Sequence, residues 1–250
     1  MSNQLRKIKA LCLDFDGVFY PCHHIPDMHE NVDIIHAQTA SALFKGQLSF
    51  DDALVIASEG YKNYGDCITA LALWAKENGI APEDFRDRFF KLFHQNMHER
   101  LQQTAPKVFT YQTDLVSAFA KTSDNVKKGI ATHGCADNWV RPLLKTMGIS
   151  EFIDPDAIFS LNDSGFVTKS TDPLLVRMCF NAMSTAISRG GFVEDTMKNL
   201  ETAKEHHPKL TTILITQGAS VKHLPNYVDF QFKNLAEMNL AIHAAHKAPR

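Results

Sequence analysis

The segment Leu11-Cys12-Leu13-Asp14-Phe15-Asp16-Gly17 delivers two carboxylates at the end of a short apolar run. The run from Ile8 to Leu13 reads as a strand buried on both faces, and in an open parallel sheet ligands bind beyond the carboxyl ends of the strands. Alternation points Asp14 and Asp16 to one side. Two negative charges that close together repel unless a cation, a proton or a hydrogen-bond donor intervenes. A hard divalent cation with oxygen ligands would resolve the conflict. The plain alternative is a strand followed by an Asp-Gly turn with both acids solvated, and D-x-D-G is too short a pattern to decide between the two.

Three later sites weigh on that choice. Ala131-Thr132-His133-Gly134 places a hydroxyl and successive backbone N–H groups at a second strand end, a suitable phosphate cradle. Lys169 precedes Ser170, Thr171, Asp172 and Pro173 at a helix entrance, where an ammonium could neutralise both an aspartate and a phosphate. The run Gly190 to Val193 leads straight into Glu194-Asp195, a second acidic pair at a strand end and a source of a further metal ligand, with Asn199 one helical turn later.

The elements that must position these groups alternate. Apolar runs at Ile8 to Leu13, Gly129 to Thr132, Ala157 to Ser160, Gly191 to Val193, Thr211 to Thr216 and, more weakly, Tyr227 to Phe232 read as strands. Helical patterns follow at Asn138 to Met147, Pro173 to Ala186, Met197 to His206 and Leu235 to His246. Strand and helix in turn predict an α/β fold with a parallel sheet. From Ile25 to Val108 the chain instead carries one helix signal after another: a capping Ser49, an apolar-periodic Thr69 to Asn78 stopping at Gly79, and Pro82 opening Glu83 to Leu101. This stretch predicts an all-helical insert after the first strand. His246 to Arg250 reads as a frayed end.

Composition bounds the function. Hydrophobic residues at 44%, charged at 22% and aromatic at 10% describe an ordinary packed protein. Lys+Arg 26 against Asp+Glu 28 leaves no positive excess for a nucleic-acid polymer. No apolar stretch approaches the ~20 residues of a bilayer span, and the amino-terminal run lacks a cleavage site, so the expectation is an unprocessed cytoplasmic chain without a membrane partner. Five scattered cysteines predict reduced thiols rather than disulfides or a zinc site. The twelve histidines, with adjacent pairs at His23-His24 and His206-His207, read as solvated surface.

Asp14/Asp16, Thr132, Lys169 and Glu194/Asp195, in that order and each at a strand end, resemble the four motifs of the haloacid dehalogenase superfamily of phosphotransferases. The resemblance spans about Lys7 to Phe232, and the helical insert falls where that superfamily places its helical type of cap. It implies a Rossmann-like parallel-sheet core, residues 1–20 and 109–250, with a helical cap domain at 21–108. Through Asp14 to Pro21, Gly60 to Gly65 and Phe192 to Asp195 the chain further resembles the pyrimidine 5′-nucleotidase-like group. Val18, His133 and Ser170 depart from the usual pattern, which leaves the substrate open; His133 could reach the leaving group or the cap.

The resemblance implies that Asp14 attacks phosphorus, that Asp16 serves as general acid and then base, and that Mg2+ binds the Asp14 side chain, the Asp16 carbonyl and Asp195. Glu194 would orient a water on the metal rather than bind it directly. Phe15, Thr132, His133 and Lys169 form the implied phosphate-binding set. A small phosphorylated metabolite is the expected partner; oligomeric state is not readable. A haloacid dehalogenase needs no general acid at Asp16, and a receiver domain has no helical insert after its first strand. A phosphomutase and a silent phosphate-binding scaffold remain open. Tyr61 and Tyr64, three apart on a helix, share a face and could stack on a base, or could be cap core. Phe89, Phe90 and Phe93 read as core between cap helices.

Overall fold

A computed structural model describes residues 2–22, 25, 27–219, 221 and 223–248; the His23-His24 pair and the last two residues of the tail lie outside the described residues. Six strands, β1 (Ala10–Leu13), β2 (Lys127–Ala131), β3 (Ile158–Phe159), β4 (Gly190–Glu194), β5 (Thr211–Ile215) and β6 (Phe230–Phe232), pair in parallel in the order β3-β2-β1-β4-β5-β6. Each contains or overlaps one of the six apolar runs. The chain leaves β1 toward β2 on one side and returns to β4 on the other, which makes the carboxyl end of β1 a topological switch point. Leu13 pairs with Ile130 and with Val193, so Asp14, Ala131 and Glu194 follow at one level.

All four residues of β1 are fully buried, because helices cover both faces of the sheet. Leu11 and Leu13 face one apolar layer with α7 (Thr113–Ala120), α8 (Arg141–Met147) and α11 (Leu235–Lys247); Ala10 and Cys12 face the other, with α9 (Leu174–Ala182) and α10 (Met197–His206). A short helix, α1 (Ser2–Lys7), lies against α11. The helix over 173–186 stops four residues early. Ser184 takes the left-handed conformation that usually falls to glycine (φ 50°), and the Thr185 amide closes back on the Phe180 carbonyl at 3.0 Å.

Between β1 and β2 the regular elements among the described residues are helical: α2 (Met28–Leu43), α3 (Phe50–Tyr64), α4 (Ile68–Glu77), α5 (Pro82–Phe85), a π-helical turn at Arg86–Phe90 and α6 (Lys91–Thr104), followed by α7. Ser49 caps α3 by accepting the Asp52 amide at 3.1 Å. The π turn widens the apolar face of this last segment: Phe89 stacks with Phe85 and Phe93, while the adjacent Phe90 packs on His94 and Phe166, and all four phenylalanines of the segment are buried.

Two histidines correct the solvated-surface reading. His36 is wholly buried edge-on to Phe89 and Phe93, with neither ring nitrogen in a well-formed hydrogen bond among the described residues, and His94 is buried with Nδ1 2.8 Å from the Phe90 carbonyl. Burial lowers both to about 4, so they serve as neutral aromatic filling. All five cysteines are free thiols. Among the described residues no helix is long and apolar enough to cross a membrane.

Candidate active site

At the switch point the Asp14 amide donates to the Val193 carbonyl at 2.8 Å, fixing the carboxylate over the boundary between β1 and β4. Lys169 reaches the same place from the loop before α9. Its ammonium lies 2.6 Å from Asp14 Oδ1 and 2.9 Å from Glu194 Oε2, and donates to the Ala131 carbonyl at 3.1 Å. Three donors meet three acceptors, the arrangement a buried lysine requires. Glu194 has no exposed surface; its other oxygen accepts the Thr196 amide at 3.2 Å.

The charges do not balance. Among the described residues Lys169 is the one buried ammonium beside Asp14, Asp16, Glu194 and Asp195, since burial and the neighbouring Lys169 push His133 well below its usual range and leave it neutral, while Lys62 and Lys198 line the cavity farther out. Burial, reinforced by Glu194, drives the Asp14 carboxyl well above the usual carboxylate range against the pull of Lys169. Burial also raises Glu194. Asp195 is exposed to the cavity but crowded by protein behind it, and that crowding together with the Asp14 charge pushes it up to about 6. Burial alone would lower Lys169, but Asp14 and Glu194 outweigh it and raise it. Carboxylate oxygens of Asp14, Glu194 and Asp195 lie within 4.8 Å of one another. An all-oxygen donor set with excess negative charge suits a hard divalent cation. Glu194 has both oxygens engaged, which leaves Asp14 and Asp195 as the side chains able to hold one.

Asp16 sits in a tight loop. Gly17 adopts φ +77°, and a Cβ there would lie 1.8 Å from Asp195 Oδ2, so only glycine fits both the turn and the neighbouring acid. The loop doubles back until Tyr20 bridges Asp16 through the backbone, and Gln217 clamps it by donating to the Gly17 and Val18 carbonyls at 2.9 Å. The Asp16 carboxylate accepts from Trp139 Nε1 at 2.8 Å and from the Tyr20 hydroxyl. Trp139 and Gln217 lie in no motif, and Tyr20 falls within the Asp14 to Pro21 segment without being singled out, so sequence reasoning misses all three as partners of this loop. The aromatic character of Tyr20 in Asp14 to Pro21 is the one trace that could have drawn notice.

A cavity of about 700 Å³ opens above these groups, within the range of small-molecule sites. Asp14, Asp16, His133, Lys169 and Asp195 line its floor, and Tyr61 and Tyr64 at the end of α3 line its cap side. Three expected site residues do not line it. Phe15 is buried among Phe19 and Tyr20, so its ring lies in the core. Glu194 lies beneath Lys169. Thr132 is fully buried, its hydroxyl accepting the Gly134 amide at 3.0 Å and lying 3.5 Å from Asp16 Oδ2; the turn at His133 and Gly134 lines the cavity in its stead. His133 reaches neither the cap nor open space with Nε2, which accepts the Lys169 amide at 3.1 Å and ties the two loops together. Phe93 is buried in the cap core and also borders the cavity.

A parallel sheet with this strand order, its first crossover occupied by helices, is a doubly wound Rossmann-like fold, and it is shared with solved haloacid dehalogenase and HAD hydrolase structures. No family model matches the chain, and no curated protein matches it significantly by sequence. Solved structures do. A 2-haloacid dehalogenase from Pseudomonas syringae pv. Tomato DC3000 is similar at 15% identity and TM-score 0.56, over 95% of this chain and 99% of that one. A HAD hydrolase of family IA, variant 3, from Entamoeba histolytica HM-1:IMSS is similar at 16% identity and TM-score 0.54, over 94% and 99%. An L-2-haloacid dehalogenase from Xanthobacter autotrophicus is similar at 15% identity and TM-score 0.52, over 95% and 99%.

Proposed function

We propose that this chain is a cytoplasmic magnesium-dependent phosphomonoester hydrolase acting through an aspartyl-phosphate on Asp14, with residues 1–20 and 109–250 as catalytic core and 21–108 as cap. The observation that carries the reading is Asp16. A second carboxylate two residues from the nucleophile, facing the same cavity, is what cleavage of a phosphate ester needs and what displacement of a halide does not. The dehalogenase neighbours share the fold without deciding the reaction.

Lys169 holds Asp14 Oδ1, which leaves Oδ2 to attack phosphorus. As the Asp14–phosphorus bond forms and the ester P–O bond breaks, Asp16 gives its proton to the departing alcohol oxygen. Water then attacks phosphorus, its proton passes to Asp16, and the bond to Asp14 breaks. One carboxyl serves both halves because its proton runs in opposite directions. Asp14, the Asp16 carbonyl and Asp195 would hold magnesium, which when bound offsets charge on the transferring phosphoryl group. Lys169 and the backbone N–H groups of the His133-Gly134 turn supply the fixed positive field.

Pyrimidine nucleoside 5′-monophosphates are the first substrates to try, because Tyr61 and Tyr64 border a cavity of nucleotide size. The test is a panel of nucleotides, sugar phosphates and small phosphates with magnesium, beside 2-chloropropionate with halide detection. Phosphate release supports the reading. Halide release alone would replace it with a dehalogenase, and transfer of phosphate within a sugar would replace it with a mutase.

A further inference from the structure

The Asp16 carboxylate is held unevenly, two donors on one oxygen and a single long contact on the other. Oδ1 accepts from both Trp139 Nε1, at 2.8 Å, and the Tyr20 hydroxyl. Neither donor is free to swing away. Tyr20 is 2% exposed and Trp139 3%; their rings meet edge-on at 6.5 Å, and each packs on Phe109, at 5.1 and 5.9 Å. A buried hydroxyl or indole N–H without an acceptor is costly, so both rings hold to Oδ1 as firmly as it is held by them. Oδ2 points the other way. It accepts the Thr132 hydroxyl only at a long 3.5 Å, and a Cβ on Gly134 would come within 3.3 Å of it, which sets this more loosely held oxygen against the turn that lines the cavity floor.

We propose that Tyr20 and Trp139 are positioning residues for Asp16: by occupying Oδ1 they make Oδ2 the oxygen that passes the proton to the leaving alcohol and takes it back from water. The inference rests on the phosphatase reading above. With either donor removed the carboxylate rotates about its side-chain torsions, and the proton is no longer held toward the ester oxygen.

The test uses two aryl esters of nearly equal size and unequal need for an acid, phenyl phosphate and 4-nitrophenyl phosphate, assayed by kcat/KM, which reports the P–O cleavage half-reaction. Tyr20→Phe removes a single oxygen and Trp139→Phe a single N–H together with part of the ring. Each is expected to lower the phenyl-to-nitrophenyl ratio of kcat/KM by about tenfold, part of the ~10²–10⁴-fold that general acid catalysis contributes. Equal losses on both esters would overturn the proposal, because a packing defect ignores the leaving group. Asp16→Asn separates the two layers: an unchanged ratio in that variant overturns the acid assignment itself. A readout independent of turnover is the indole N–H resonance of Trp139, expected to move in Asp16→Ala while that of Trp74 stays. An unmoved Trp139 signal would contradict the contact.

Discussion

The Lys169 ammonium sits 2.6 Å from Asp14 and 2.9 Å from Glu194, so one buried cation opposes, without cancelling, the push that burial gives both carboxyls toward protonation. Lys169→Met should therefore destabilise the fold by about 3–5 kcal/mol, the scale for stranding a buried charge. Adding Glu194→Gln should recover part of the loss, since the pair couples. Urea denaturation at neutral pH measures both, and a Lys169→Met midpoint equal to wild type would refute the pairing.

Two aspartates should separate in their dependence on magnesium. Asp16→Asn removes a proton carrier but keeps the backbone carbonyl, so turnover falls at an unchanged magnesium requirement. Asp195→Ala removes a ligand, so more magnesium is needed for half-maximal rate. The wild type should lose magnesium affinity as the pH falls through about 6, where Asp195 protonates. Matching magnesium curves for the two variants would contradict the assignment.

His36 predicts an acid-sensitive cap. In the unfolded chain an imidazole takes up its proton near 6.5, whereas burial holds folded His36 neutral down to about 4. Between those values the unfolded state binds more protons, so stability falls as pH falls and levels off below 4. The gap corresponds to roughly 3 kcal/mol. His36→Leu sacrifices only weak approaches to the Ala53 and Cys67 backbone, since neither ring nitrogen makes a well-formed hydrogen bond among the described residues. Its stability should decline less steeply over this window than that of the wild type, and parallel profiles would refute the account.

Tyr61 and Tyr64 border the cavity from the last turn of α3. If nucleotides are the substrate, truncating a stacking tyrosine should cost about 1–3 kcal/mol of nucleotide binding. Tyr61 also packs into the apolar core, with Cys67 beside its buried hydroxyl, so Tyr61→Ala should lower stability as well. Tyr64→Ala is the cleaner probe: KM for a nucleoside monophosphate should rise while that for nitrophenyl phosphate changes little. Equal shifts on both substrates would remove the stacking role.

The sheet is legible in the sequence because each strand is a short apolar run, and the parallel order brings Asp14 and Glu194 together at adjacent strand ends, whereas Lys169, expected at a strand end, reaches them from the loop between β3 and α9. What hides is whatever depends on tertiary closure. Trp139 meets Asp16 across 123 positions, and nothing local marks an indole in a helix as a carboxylate's partner. The start of α2 is silent because Asp27 makes no capping bond and takes a left-handed conformation. The end of α9 is silent because a serine occupies the place of the expected glycine. His36 and His94 are misread because a neutral imidazole in a phenylalanine cluster follows packing, not polarity.

The central claim is that Asp14 carries the phosphoryl group. The most direct measurement is acid quenching of the enzyme during turnover of a phosphomonoester with magnesium, followed by peptide mass spectrometry. A phosphate adduct on the peptide bearing Asp14, absent in Asp14→Asn, with that variant folded and inactive, is the predicted result. Ester hydrolysis that continues in Asp14→Asn at the wild-type rate, or turnover with the adduct on another residue, would contradict it.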